Sequence, residues 1–360
     1  MESLSLESIR EIADRAEKNV KIPAYPRTVL NIMNAIRYAE DIFWISRYSR
    51  EPFNLVVEIV KILREEGYVS YDDGKIRLTE RGEKILADTG YEAKIVECDK
   101  CRGRRVPLDI ISWDVIKDFI EIQKNRPQPI QEYDQGYVTP ETTLARVAYM
   151  YYRGDLKGKD IIMLGDDDLV SIAIGLTHYA RRIAVIDIDT RLTDFISKVS
   201  DEYGLNIEIL AMDLRKPIPS EIEKKFDVFQ TDPLETVLGF RAFVGRGIAT
   251  LRGERCAGYF YLTLVDSSID KWRDIQNILV HEFKVVITEI IPDFSEYINW
   301  GYFESMHGWK ILPEELRVKP RSGWYTSTMF RIETLRGSKG FTEEIPPAKD
   351  IYEDKELASA

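Results

Sequence analysis

The chain has 360 residues and a formal net charge of −11, from 50 Lys and Arg against 61 Asp and Glu. That balance argues against nucleic acid as the main ligand, because phosphates select basic surfaces, and it suits a cationic ligand better. Three cysteines make no disulfide framework, and no apolar run reaches the roughly 18 residues of a membrane span, so a cytoplasmic protein without a membrane partner is expected.

The first segment, MESLSLESIREIADRAEKNV, is acidic with helical spacing and does not read as a signal peptide. RTVLNIMNAIRYAEDIFWISRYS and FNLVVEIVKILREEG carry apolar residues at helical intervals, and the second stops at Gly67. YVSYDDGKIRLT then alternates around Asp73-Gly74, a strong hairpin signal. Helix, helix, hairpin is the order of a winged helix. A DNA reader would need a basic recognition helix, but VVEIVKILREEG is close to neutral, so a packing or dimerisation module is expected and the protein is expected to form a homodimer. In KIVECDKCRGRR, Cys98 and Cys101 form a single CxxC. Structural zinc wants four ligands, so this is half a metal site at most, and a plain tight turn explains it as well. RPQPIQEYDQGYVTPET reads as a linker or binding loop.

After the helix TLARVAYMYYRG the pattern becomes strand–helix alternation: DIIMLG, RIAVIDID, NIEILAMD, FDVFQTD, GYFYLTLV and KVVITEI are short β-rich runs, most of them separated by helical segments. This predicts a parallel sheet with crossover helices. STMFRIETL reads as a late strand on an antiparallel edge, and the last residues lack periodicity. The expected division is a winged-helix-like α+β domain over 1–92, a linker or binding segment over 93–142, an α/β Rossmann-like catalytic domain over 143–336, and a flexible tail over 337–360.

Ligands of open α/β sheets bind at the carboxyl ends of the strands. Five successive runs end there in acids: Asp166, Asp167 and Asp168, then Asp187 and Asp189, Asp213, Asp232 with Glu235, and Asp266. Capping explains one of the first three, and equally Asp187 or Asp189. It does not explain acids at all five ends. A dinucleotide would need glycines and backbone N–H groups where Gly165 is followed by three carboxylates. A nucleoside carrying a cation instead of phosphates fits, and S-adenosylmethionine and its decarboxylated form are such nucleosides. Asp187, with Asp189 as the alternative, suits both ribose hydroxyls. Asp213 suits the adenine amine, with Ile188, Met212 and Leu214 around the ring.

GDDDLVSIA and FDVFQTDPLET, in the order GDDD, IDID, MD, DPLE, resemble the class I S-adenosylmethionine-dependent transferases. More specifically they resemble the branched-chain polyamine synthases of archaea and thermophilic bacteria, the N4-bis(aminopropyl)spermidine synthases. The resemblance spans nearly the whole chain, and a charged fraction of 31% suits a thermophile. It implies a class I methyltransferase-type sheet and transfer of the aminopropyl group of decarboxylated S-adenosylmethionine, with no permanently bound cofactor, to the secondary N4 amine of spermidine. Methylthioadenosine is the other product. By position against the glycine-rich turn of spermidine synthases, Asp168 would bind the donor's ammonium, in a turn made by Gly165, Asp166 and Asp167. DPLE stands where amine-methylating enzymes carry (D/N)PP(Y/F), which puts Asp232 at the amine and Glu235 toward the acceptor. Asp168, Asp232 and Glu235 are the candidates to take its proton, with Asp167 as a further substrate contact. Tyr259, Tyr261, Trp300 and Tyr302 are candidates to line the polyamine's path, and Gln135 and Tyr137 to cover the adenosine. The alternatives are a methyltransferase acting on nucleic-acid amines, which would want an aromatic after DPP, a winged-helix regulator, and an aspartate cluster built for Mg²⁺ or Ca²⁺.

Overall fold

The computed structural model describes residues 2–96, 98–346 and 351–358, and the side chains from residue 6 onward. The chain opens with helices α1 (Glu2–Val20), α2 (Pro26–Ile36), α3 (Ile42–Ser49) and α4 (Phe53–Glu65). A hairpin of β1 (Val69–Asp72) and β2 (Lys75–Leu78) and helix α5 (Glu80–Asp88) follow. The helical pattern over 27–49 is two helices rather than one. The Asp41 carboxylate accepts the Trp44 N–H at 3.0 Å and so restarts the helix as α3. Helix α4 is buried along most of its length.

Next come α6 (Trp113–Gln123) and α7 (Pro140–Arg153), then a seven-stranded sheet. Its strands are β3 (Asp160–Leu164), β4 (Arg182–Asp187), β5 (Ile207–Ala211), β6 (Val228–Thr231), β7 (Ala257–Leu262), β8 (Val285–Glu296) and β9 (Thr326–Thr334). The order is β5-β4-β3-β6-β7-β9-β8. Helices α8 (Val170–Thr177) and α9 (Thr190–Tyr203) cross between β3, β4 and β5. Helices α10 (Val237–Phe240) and α11 (Arg246–Thr250), joined by a π-helical turn, lie between β6 and β7, with α12 (Ile269–Asn277) after β7 and the short α13 (His307–Lys310) between β8 and β9.

Every residue of β3, β6 and β7 is buried, as both-face coverage of parallel strands requires. Successive side chains point to opposite faces. Ile161, Met163, Val185 and Tyr261 therefore join one apolar layer, and Ile162, Leu164, Ile186 and Leu262 the other. β9 is antiparallel to both β7 and β8. It is an interior strand, not the edge expected from sequence: β8 returns outside it and becomes the edge.

The expected boundary at residue 92 does not interrupt the core. Ile9, Phe43, Phe53 and Leu63 share one apolar cluster with Tyr297, Trp300, Phe303 and Trp324, which belong to the long insertion between β8 and β9. Phe43 stacks on Phe53 at 5.0 Å and meets Trp324 edge-on at 4.8 Å. The N-terminal helices thus support the insertion that borders the ligand cleft.

The last segment is also packed over its described parts, contrary to the flexible tail expected from sequence. Ile345, Ile351 and Leu357 are buried. The Glu356 carboxylate accepts the Ser268 N–H at 2.7 Å, at the start of α12, and lies 3.5 Å from the buried Lys271 ammonium. Lack of periodicity misled here because hydrophobic anchors spaced irregularly along a loop bury as well as a helical stripe does. Replacing Glu356 by Ala removes the acceptor of the N–H and hydroxyl of Ser268, the N-cap of α12, and part of the Lys271 pairing, so it should cost about 3 kcal/mol of stability in chemical denaturation. An unchanged midpoint would show that the segment does not pack in solution.

Candidate functional site

The strand order reverses beside β3, whose neighbours are β4 and β6, and the carboxyl ends there open onto a cleft. Gly165 closes β3 with φ of 74°, a conformation glycine takes without strain. The three aspartates after it then diverge. Asp166 turns inward, and its carboxylate accepts the N–H groups of Val170 at 2.7 Å and Ser171 at 3.1 Å, the first turn of α8. Burial pushes its pKa up to about 8. Asp168 also turns inward. Oδ1 accepts the Val138 N–H at 2.8 Å, and Oδ2 accepts Nη1 of Arg146 at 2.7 Å. Asp167 faces the cleft. Burial, reinforced by the charges of Asp168, Asp232 and Asp187, holds its carboxyl well above the ordinary range.

Five further acids line the cleft. Asp187, at the end of β4, accepts the N–H of Asp166 at 3.0 Å and of Asp189 at 2.8 Å, one on each oxygen. Asp213 is bound by Arg215 through Nε at 2.9 Å and Nη2 at 2.7 Å. Burial opposes its ionisation, but those bonds outweigh it and its pKa falls below the usual value. Oδ2 of Asp232, beyond β6, accepts Arg146 Nη2 at 2.7 Å and the Tyr297 hydroxyl at 2.6 Å. Burial raises its pKa to about 6 while Arg146 opposes the rise. Glu235 and Asp134 complete the set. Burial pushes Asp134 up to about 8 and Glu235 well above its ordinary value, and the Asp266 charge adds to both.

Among the described residues the cleft wall carries these six carboxylates and no Lys, Arg or His side chain. Asp134, Asp167 and Glu235 receive no hydrogen bond on their side chains from those residues. Tyr297, Trp300, Tyr302 and Tyr325 from the β8–β9 insertion form an aromatic wall, and Trp300 and Tyr325 meet edge-on at 5.4 Å. Gln135, at the mouth, donates to Asp189 at 3.0 Å, and its carbonyl accepts the Tyr302 hydroxyl at 2.5 Å. A cleft with six acids, aromatic faces and no basic side chain is built to take up a cation.

The model of the branched-chain polyamine synthase A C-terminal domain matches residues 114–359. The chain belongs to the branched-chain polyamine synthase family. It is 50% identical to the N(4)-bis(aminopropyl)spermidine synthase of Thermococcus kodakarensis over 353 residues, covering 98% of this chain and 100% of that relative. It is 39% identical to the enzyme of the same name from Thermus thermophilus, over 92% of this chain and 94% of that one. Its fold matches the crystal structure of the branched-chain polyamine synthase of Thermus thermophilus in complex with N4-aminopropylspermidine and 5'-methylthioadenosine. The TM-score is 0.89, with 35% identity, 98% of this chain covered and 99% of that one.

In this member of the family, the expected site residues divide. Gln135, Gly165, Asp167, Asp187, Asp213, Asp232, Glu235, Trp300 and Tyr302 line the cleft. Asp166 and Asp168 stand behind its wall, because helix capping and Arg146 occupy their oxygens. Asp189 likewise caps α9 and pairs with Arg191 at 2.6 Å. Tyr259 and Tyr261 are core residues, not channel walls. The Tyr259 hydroxyl donates to Asp155, and Arg146 lies 3.6 Å above the Tyr261 ring. Tyr137 is covered by Arg126 at 3.5 Å and lies off the main cleft. Cys98 is exposed and Cys101 partly so, and no group of three or more metal-ligating side chains occurs among the described residues. Sequence reasoning missed Arg146, Tyr297 and Tyr325, whose partners are distant in the chain. It also passed over Asp134, although YDQG put that residue beside Gln135.

The raised carboxyl of Asp134 makes stability of the ligand-free protein depend on pH. Its folded pKa, about 8, exceeds the unfolded value, so the folded state binds more protons between about pH 4 and 8 and loses stability as pH rises through that window. Asp134→Asn should flatten this decline in thermal unfolding scans at a series of pH values. An identical pH dependence in the variant would show that Asp134 is not held protonated.

Proposed function

We propose that this chain moves the aminopropyl group of decarboxylated S-adenosylmethionine to the secondary N4 amine of spermidine, and then to the same nitrogen again. The observation that carries this reading is the wall of six carboxylates, supported by membership of the branched-chain polyamine synthase family. Asp187 is the ribose partner in this reading, because each of its oxygens holds one backbone N–H and can accept a hydroxyl besides. Asp213 takes the adenine amine between Met212 and Leu214. Asp167, rather than Asp168, meets the ammonium of the aminopropyl group.

The chemistry is an in-line displacement. The lone pair of N4 attacks the CH₂ beside the sulfonium, the C–S bond breaks, and its electron pair stays on sulfur as the thioether of methylthioadenosine. The leaving group is good, so the protein's part is to position, desolvate and remove protons. Spermidine nitrogens are protonated in water, with pKa values near ~10. N4 must give up one proton before attack, and the first transfer releases a second when the tertiary amine forms. The second transfer yields a quaternary nitrogen with no proton to lose and a permanent charge. Asp232, at the cleft wall beside Tyr297, is the proton acceptor. Glu235 and Asp134 hold the primary ammoniums, and the aromatic wall covers the methylene segments. DPLE carries no aromatic at its fourth position, which leaves the space beside Asp232 open to an aliphatic amine rather than stacked against a base.

Incubation with spermidine and decarboxylated S-adenosylmethionine should give methylthioadenosine and N4-branched products, resolved by mass spectrometry. Methyl transfer from the undecarboxylated donor, with no product from the decarboxylated one, would overturn the reading. Asp232→Asn should lower kcat by about 10²–10⁴-fold. Glu235→Gln should act mainly on the KM for spermidine, and a loss confined to kcat would remove it from the ammonium site.

A further inference from the structure

Arg146 lies on α7, its side chain has zero exposure, and it is held from four sides. Nη1 donates to Asp168 Oδ2 at 2.7 Å, and Nη2 donates to Asp232 Oδ2 at 2.7 Å and to Ser295 Oγ at 3.0 Å. The guanidinium carbon lies over the Tyr261 ring, 3.6 Å from its centroid. A buried arginine alone would be costly, and two carboxylates plus an aromatic face compensate it. The cost of this arrangement could have been avoided with an apolar side chain, so packing by itself does not account for it.

The geometry has a consequence for Asp232. Its Oδ2 already accepts two hydrogen bonds, from Arg146 and from Tyr297, whose hydroxyl lies 3.1 Å from Ser327 Oγ. No described residue donates to Oδ1, so that oxygen is left for a ligand in the cleft. We propose that Arg146 is a positioning residue for the transfer, which pins Asp232 through Oδ2, presents Oδ1 to the reacting nitrogen and keeps that carboxylate ionised among its acidic neighbours. Asp168 has a matching role: it is the counter-ion that holds Arg146 from the far side. This assigns the last aspartate of GDDD to the machinery behind the wall. The proposal rests on the reading of Asp232 as proton acceptor.

The electrostatics supply opposite signs for two substitutions. Burial, the dominant effect, raises the Asp232 pKa; Arg146 draws it down against that effect, and Asp168 adds to the rise. Lysine carries the same charge on a compact ammonium that cannot bridge two carboxylates in one plane. Arg146→Lys should therefore shift the acid limb of the kcat/KM–pH profile upward by about one unit, with activity recovering at high pH. Asp168→Asn leaves the arginine's charge to Asp232 alone, so the acid limb should move downward. The profiles are measured by methylthioadenosine release, with circular dichroism and thermal unfolding reported for each variant. If Arg146→Lys does not fold, the Asp168→Asn shift decides. Limbs that stay in place, or move in the same direction, while kcat/KM drops evenly across pH would show that Arg146 is structural and overturn the proposal. Failure of the unsubstituted protein to release methylthioadenosine would instead sink the reading of the reaction itself.

Discussion

Carboxylates drawn partly or wholly out of water without a paired cation are the constraint on which this molecule turns. Asp134, Asp167 and Glu235 face the cleft with no donor from the described protein, and burial raises the pKa of each. An ionised acid in such a place is costly unless a positive charge comes to it. The ligand-free site is therefore poised between holding protons and holding cations. Under the proposed function, a polyamine would resolve the conflict by bringing several ammoniums at spacings that methylene chains set, and its binding would displace protons from the wall.

The same acids create a difficulty for the chemistry, because carboxylates near an amine favour its protonated form, which cannot attack. The structure answers this by making the acids unequal. Asp213 and Asp189 are tied to arginines two residues along the chain. Asp166 and Asp189 cap helices. Asp232 alone among the cleft-lining acids is paired to a guanidinium that is itself fully buried, and its pKa of about 6 lies below that of Asp134. Asp232 is thus ionised at a pH where Asp134 still holds its proton.

How much of this was legible depended on the distance over which each interaction is encoded. The strands, the acids at their carboxyl ends and the hairpin at Asp73-Gly74 follow from local pattern, and the structure has them. The three aspartates of GDDD do not differ in the sequence. Their separation into a cap, a cleft acid and an arginine partner depends on Val138 and Arg146, which lie some thirty and twenty-two positions away. Tyr259 and Tyr261 illustrate the same limit. Alternation along β7 says that they share a face, but not whether that face meets ligand or core. The late strand was misplaced because strand order is not a local property: β8 is the edge since its chain returns outside β9.

The sequence by itself determined the sheet class and the acidic rim, because periodicity, turn chemistry and charge are written along the chain, and it carried the family resemblance in GDDDLVSIA and FDVFQTDPLET. The tertiary structure alone decided which acids face the ligand, that the final segment packs, and that Arg146 sits between Asp168 and Asp232. Those outcomes are set by side chains from α7, β3, β6 and β8 meeting in one desolvated place. There, an ångström of placement and the presence of one guanidinium fix whether a carboxylate caps a helix, pairs with an arginine or stays open to the cleft.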